Sequence, residues 1–233
     1  MGEKDHSGIN RSRGGSVRGV SQRRINQKRG VKGHVNNITA EDIQAQYAHV
    51  GISISQDEAE KIHQGIYVYT GGFYPQMREA YALDAAGKGQ ELTPIQRELL
   101  SRYKMCEEYC KVAPTYNEPG VEMIHRGIKV GSNPEAAAYA ARIYKLKPGD
   151  SWTNDKMPSS YTSSLKMAEH FAEGRGGIIL HAPTRRLKNS ISISGLSSSI
   201  GENEVLVSDY NWKVSRVRDL RKTSDGHYHV YLK

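Results

Sequence analysis

The feature that most constrains this chain is a change of pattern at Pro114. Before it, helix-start signals recur. Thr39 stands ahead of AEDIQAQYAHV as an N-cap, and Ser55 with Glu58 makes a capping box before AEKIHQGI. The run YPQMREAYALDAA (74–86) reads as a helix stopped by Gly87. Thr93, Pro94 and Gln96 then open a long helix over IQRELLSRYKMCEEYCKV. Past Pro114, VEMIHRGIKV (121–130) alternates in the manner of a strand. A short alanine-rich helix is expected from Pro134 to about Leu146, and SSYTSS leads into another at LKMAEHFAEG. Further strands are expected at 177–183, 204–208, 212–219 and 227–233. A block of helices followed by mostly adjacent strands predicts an α+β fold with antiparallel sheets, and argues against the strict alternation of a doubly wound one.

Composition divides the chain a second time. Nine Lys and Arg in residues 1–37 face only Glu3 and Asp5, a net of +7. That leaves +1 of the overall +8 for residues 38–233. The first segment holds Gly, Ser, Arg and Asn with no aromatic residue. It cannot bury enough apolar surface to offset its chain entropy, so a disordered basic tail is expected over 1–37. Such an arm suits nucleic acid or an acidic partner; a solvated leader is the plainer account. Residues 38–233 are expected to form a single domain, helical over about 38–115 and β-rich over about 116–233. No apolar run approaches a membrane span, and no secretory h-region is visible. Cys106 and Cys110, one helical turn apart with no metal-ligand pattern around them, are expected to be buried reduced thiols.

The most informative segment is Gly201-Glu202-Asn203-Glu204-Val205-Leu206-Val207. If it enters a strand extended, Glu202 and Glu204 project from the same face. Two like charges side by side disfavour each other, which invites a functional cause. Spacing alone describes an edge strand with two exposed glutamates equally well. His227 and His229 also fit one strand face, and with no third ligand nearby in sequence they are expected to be exposed strand histidines.

Other segments accompany the two glutamates in order: Ile66-Tyr67-Val68-Tyr69-Thr70, then His125-Arg126-Gly127, Tyr161-Thr162-Ser163-Ser164-Leu165, and Phe171-Ala172-Glu173-Gly174-Arg175. Together with Glu202-x-Glu204 this set resembles the R-S-E class of bacterial mono-ADP-ribosyltransferases. It is most similar to the clostridial Rho-modifying exoenzymes and the catalytic components of actin-modifying binary toxins, from about residue 38 to the C-terminus. The resemblance implies an ADP-ribosyltransferase fold in which two packed, mainly antiparallel sheets form an NAD cleft beside an N-terminal helical layer. It implies NAD as co-substrate, no metal, and a target protein as partner.

The resemblance also implies roles. Glu204 would stabilise the cation that develops on the nicotinamide ribose and bond its 2′-hydroxyl. Glu202 would engage the acceptor, and a glutamate there goes with arginine. Thr162, Ser163 and Ser164 would supply the hydroxyls around the catalytic glutamate, the first of them holding it. Arg126 and Arg175 would grip the phosphates, Gly127 would let the ligand approach the backbone, and Phe171 would flank the nicotinamide. NSISISGLSSSI (189–200) would be the acceptor-recognition loop, lacking the aromatic residue often found near its end. The chemistry is coherent: a neutral pyridine leaves without needing a proton, so a fixed carboxylate facing the ribose is the main requirement. Two rivals remain, an NAD glycohydrolase using the same site and an inert nucleic-acid-binding or virion protein of this fold. The enzyme is expected to act, soluble, in the cytoplasm of a target or host cell, reached as a secreted toxin or as a phage-borne protein.

Overall fold

The helices of the N-terminal half begin where their capping residues stand. The computed structural model describes residues 38–71, 73–131, 134–153, 158–174, 176–193, 203–209 and 211–233. Within these, α1 (Ala40–His49), α2 (Gln56–Tyr69) and α4 (Pro94–Val112) start at Thr39, Ser55 and Thr93. Each is a reciprocal capping box in which the cap hydroxyl accepts the third backbone N–H and the third side chain accepts the cap N–H. Between α2 and α4 lies α3 (Tyr74–Ala85). The phrase Ile66–Thr70 is thus the last turn of α2 and its C-cap. The basic tail expected over 1–37 lies outside the described residues.

The second half supplies β1 (Met123–Ile128), α5 (Pro134–Tyr144), β2 (Ser151–Trp152), β3 (Ser159–Thr162) and α6 (Leu165–Ala172). It continues with β4 (Ile178–Pro183), β5 (Ser190–Ser192), β6 (Glu204–Val207), β7 (Trp212–Asp219) and β8 (Tyr228–Leu232). The strands follow one hydrogen-bonded order, β2-β7-β8-β4-β1-β3-β6-β5, in place of the two sheets expected. β4 and β8 pair in parallel and the other pairs are antiparallel. The α+β class and the mainly antiparallel pairing are as the sequence predicted. β3 and β5 were not predicted, because both are short and serine-rich. Yet Ile191 and Ile193 are fully or nearly buried, so the S-I-S-I alternation does mark a strand face.

Two cores hold the sheet from opposite sides. One joins α1, α2 and α4 to Ile191, Ile193 and Leu206 of the β5–β6 end. The other lies under the remaining strands and includes Ile124, Tyr161, Leu180, Val205, Val207 and Val230. Val205 and Leu206, adjacent on β6, belong to different cores, as strand alternation requires. The Tyr69 and Tyr103 hydroxyls both donate to the Pro158 carbonyl, at 3.3 and 2.9 Å, so helices α2 and α4 pin the start of β3. Cys106 and Cys110 are buried free thiols, and burial pushes Cys106 up to about 12 and Cys110 well upward. Among the described residues no helix is long and apolar enough to cross a membrane.

Candidate active site

A cleft opens where β1, β3 and β6 meet the end of α2 and the end of α6. It is lined by Tyr69, Thr70 and Gly71, by His125, Arg126 and Gly127, by Ser160, Tyr161 and Thr162, and by Phe171 and Glu204. Segments far apart in sequence therefore converge here. Glu202 and Arg175 lie outside the described residues.

Glu204 opens β6 and is only 7% exposed. Its neighbour Asn203 has φ of +47°, a left-handed backbone that asparagine tolerates better than most residues. The extended strand therefore begins at Glu204. The expected placing of Glu202 and Glu204 on one face involves Glu202, which lies outside the described residues. Glu204 Oε1 accepts a hydrogen bond from Ser160 Oγ at 2.5 Å, and Ser160 Oγ lies 3.4 Å from the Tyr69 hydroxyl.

The three hydroxyl residues stand around the turn that carries Glu204. Thr162 faces Glu204 directly across the β3–β6 ladder, and its Oγ1 accepts the Ser164 N–H at 3.0 Å. The Ser163 N–H donates to the Asn203 carbonyl, tying the end of β3 to the turn that delivers Glu204. Ser164 is the N-cap of α6, its Oγ accepting the Met167 N–H at 3.3 Å. Ser160, two residues upstream of Thr162 and so on its face, donates a hydrogen bond to Glu204. It could have been found by applying period-2 alternation backwards from Thr162.

Arg126, 9% exposed, reaches the cleft from β1. Gly127 has a reason other than ligand approach. A Cβ there would lie 1.9 Å from the Ala168 carbonyl oxygen and 2.8 Å from Phe171 Cβ, so α6 rests on β1 at this residue. Gly177 repeats the contact, with a Cβ 1.9 Å from the Ala172 carbonyl oxygen. The small residues Ala168 and Ala172 complete the close approach against Ile179. Seated this way, α6 leaves Phe171 43% exposed along the cleft wall, where its role is not that of a core residue.

The histidine expectation needs correcting. His229 is 5% exposed, and Asp225 supplies the third group that the sequence reading missed: candidate ligand atoms of Asp225, His227 and His229 lie within 4.8 Å of one another. In this structure the three are joined by hydrogen bonds. Asp225 Oδ1 is 2.9 Å from His227 Nδ1 and 3.0 Å from His229 Nε2. The tight Asp225-Gly226 turn, with Gly226 at φ +74°, brings the aspartate back beside the strand.

No family model matches the chain, and no curated protein matches it in sequence. Solved structures do. The Vis ADP-ribosyltransferase of Vibrio splendidus, in complex with an inhibitor, is similar at 14% identity and a TM-score of 0.55, covering 83% of this chain and 81% of that one. The Clostridium limosum C3 exoenzyme is similar at 16% identity and a TM-score of 0.51, covering 84% and 95%. The C3stau2 protein of S. aureus, solved with NAD, is similar at 15% identity and a TM-score of 0.50, covering 85% and 96%. At these identities the likeness is one of fold, and the fold is that of the ADP-ribosyltransferases.

Proposed function

We propose that this chain, having the ADP-ribosyltransferase fold, transfers ADP-ribose from NAD to an arginine of a target protein and releases nicotinamide. The observation that carries the reading is a nearly buried carboxylate, Glu204, held by a hydroxyl in a cleft that also presents a buried arginine and an exposed aromatic ring. This donor set fits NAD. A planar guanidinium suits a dianionic pyrophosphate, Phe171 offers a flat surface to a pyridinium, and Glu204 offers negative charge where the ribose becomes positive.

Glu204 stabilises the ribose cation and accepts from the 2′-hydroxyl. It needs a fixed orientation to act on a short-lived charge, and Ser160 and the β3 ladder supply it. Arg126 holds the phosphates, with Arg175 as its partner in the loop after α6. Glu202 orients the acceptor. An arginine guanidinium is protonated at physiological pH, so a carboxylate partner must align and polarise it before it attacks. The roles of Thr162, Ser163 and Ser164 are then to shape the turn and helix start around Glu204.

The test is incubation of the purified chain with labelled NAD and a cell lysate, beside Glu204→Gln and Glu202→Gln variants. Labelled protein is expected with the wild type, its label released by hydroxylamine as an arginine linkage requires. Glu204→Gln should lose about 10²–10³-fold in rate, the scale of removing one main electrostatic stabiliser. A label that persists undiminished in Glu204→Gln would sink the mechanism. Nicotinamide release with no labelled protein in any lysate would make the chain an NAD glycohydrolase. Glu202→Gln should lose transfer while keeping NAD cleavage.

A further inference from the structure

The turn between β7 and β8 carries a cluster that the proposed reaction leaves unused. Asp225, His227 and His229 each offer one donor atom to a common point, and the three atoms lie within 4.8 Å of one another. Two features of the backbone bring them together. His227 and His229 flank Tyr228 at the start of β8, so both project from one side of the strand. Gly226, at φ +74°, turns the chain so that the Asp225 carboxylate comes back over that side. Asp225 Oδ1 then lies 2.9 Å from His227 Nδ1 and 3.0 Å from His229 Nε2. It also accepts the His227 backbone N–H at 3.1 Å, and Oδ2 is 3.2 Å from His229 Nε2.

Three observations point from this cluster to a metal ion. Among the described residues the carboxylate pairs with no lysine or arginine, and its close partners are the two imidazoles. An Asx turn needs only the bond to the His227 N–H, so it leaves the convergence of two rings unexplained. The second observation is how His229 is held. It is buried, and its other nitrogen, Nδ1, is 2.9 Å from His181 Nε2. A ligating imidazole has its second nitrogen engaged in this way, which fixes the ring toward the ion. His181 is fixed in turn by stacking on Tyr231, ring centroids 4.3 Å apart, and by His125, Nδ1 to Nδ1 at 2.9 Å. A row of imidazoles therefore backs the cluster as far as the cleft wall. The third observation is the spacing. Bonds of about 2.0–2.1 Å at tetrahedral angles set donors about 3.4 Å apart, which small side-chain rotations from 2.9 and 3.0 Å reach. The side chains of His227 and Asp225 are 15% and 32% exposed, so water can take the fourth position.

The donor set selects the ion. Two nitrogens and one carboxylate oxygen do not suit calcium or magnesium, which take oxygen ligands. They suit a borderline divalent ion, and zinc accepts such a set without redox chemistry. We propose that Asp225, His227 and His229 bind zinc, and that the ion clamps the β7–β8 turn to the segment that follows α6. Two hydrogen bonds already join the turn to that segment. The Gly176 N–H donates to the Gly226 carbonyl and the Tyr228 N–H to the Gly177 carbonyl, both at 2.8 Å. Gly226 stands between the first two ligands and Tyr228 between the last two, so pulling either bond open moves a residue that holds the ion. Zinc thus stiffens the approach to β4 from outside the cleft. The site departs from the expectation of no metal, and it does not depend on the NAD reading.

The test uses the untagged full chain, stripped of metal by a chelator, with zinc alone as the probe. Calorimetric titration should show stoichiometric binding by the wild type. Affinity should fall at least about a hundredfold in His227→Ala and in Asp225→Asn, because loss of a ligand exceeds the roughly 10–100-fold cost of losing an outer-shell partner. Asp225→Asn keeps an acceptor oxygen for the His227 N–H, so the turn survives while the charged ligand is gone. Cobalt(II) in place of zinc should give a visible absorption band that both variants lose. No uptake by the wild type would overturn the site. So would uptake that both variants retain, since the metal would then sit on other histidines. The clamp is read by amide exchange in NMR. Saturating zinc should slow exchange at Gly176 and Tyr228 about tenfold or more in the wild type, and leave it unchanged in Asp225→Asn. Zinc binding without that protection would overturn the clamp.

Discussion

The Ser160 hydroxyl, 2.5 Å from Glu204 Oε1, bonds one oxygen of the carboxylate for which a role at the ribose is proposed. A hydrogen bond to a charged group contributes about 1.5–3 kcal/mol. Ser160→Ala should therefore slow NAD cleavage about tenfold to a hundredfold, read as nicotinamide release. Thr162→Val is the control. If it costs the larger factor and Ser160→Ala the smaller, Thr162 is the residue that orients the glutamate. Asn203 is a second residue whose identity matters for geometry. Its positive φ starts β6 at Glu204, and a β-branched residue there would strain the turn.

Helix α6 is the element on which the cleft wall depends. It is short and sits on β1 and β4 through Gly127, Gly177, Ala168 and Ala172, so its distance from the sheet is set by the absence of side chains. Gly127→Ala puts a methyl where the Ala168 carbonyl oxygen stands. The helix must move or the strand must bend, at a cost of about 1–3 kcal/mol. Chemical denaturation should show that loss, and NAD affinity should fall with it because Phe171 rides on the same helix. Ser164→Ala removes only the cap and should cost about 1 kcal/mol. If Gly127→Ala proves as mild as Ser164→Ala, the tight seating of α6 is not what shapes the wall.

At the scale of the molecule, buried histidines tie stability to pH. Burial first, then His125, His229 and Arg216, hold His181 down to about 3, against about 6.5 in an unfolded chain. Between those values the unfolded state binds the extra proton, so stability rises with pH through this window and falls on acidification. From pH about 7.5 to about 5.5, His181 alone should remove about 1.4 kcal/mol, measurable by urea unfolding at each pH. His181→Leu should flatten that dependence, and an unchanged slope would mean that the buried row is not its source. The charge asymmetry makes a separate prediction. Removing residues 1–37 lowers the net charge from +8 to +1. NAD turnover should survive the deletion, while salt-sensitive retention on a polyanion column should be lost.

What the sequence determined by itself is local or periodic. Capping boxes at Thr39, Ser55 and Thr93 fixed three helix starts because the cap and its third residue are neighbours in the chain. Alternation gave β1, β4, β6, β7 and β8, and a set of motifs in order gave the fold that the solved structures share. Only the tertiary structure decided that the Ser160 hydroxyl meets Glu204, why residue 127 must be glycine, and that His229 is buried. Each of these depends on register or on a neighbour from a distant segment: Ser160 across from β6, Ala168 above β1, His181 and Asp225 on either side of His229. A side chain's face can be read from its own strand. What stands opposite it is fixed by how the strands pair, and strand order brought β1, β4 and β8 side by side from positions about 50 residues apart.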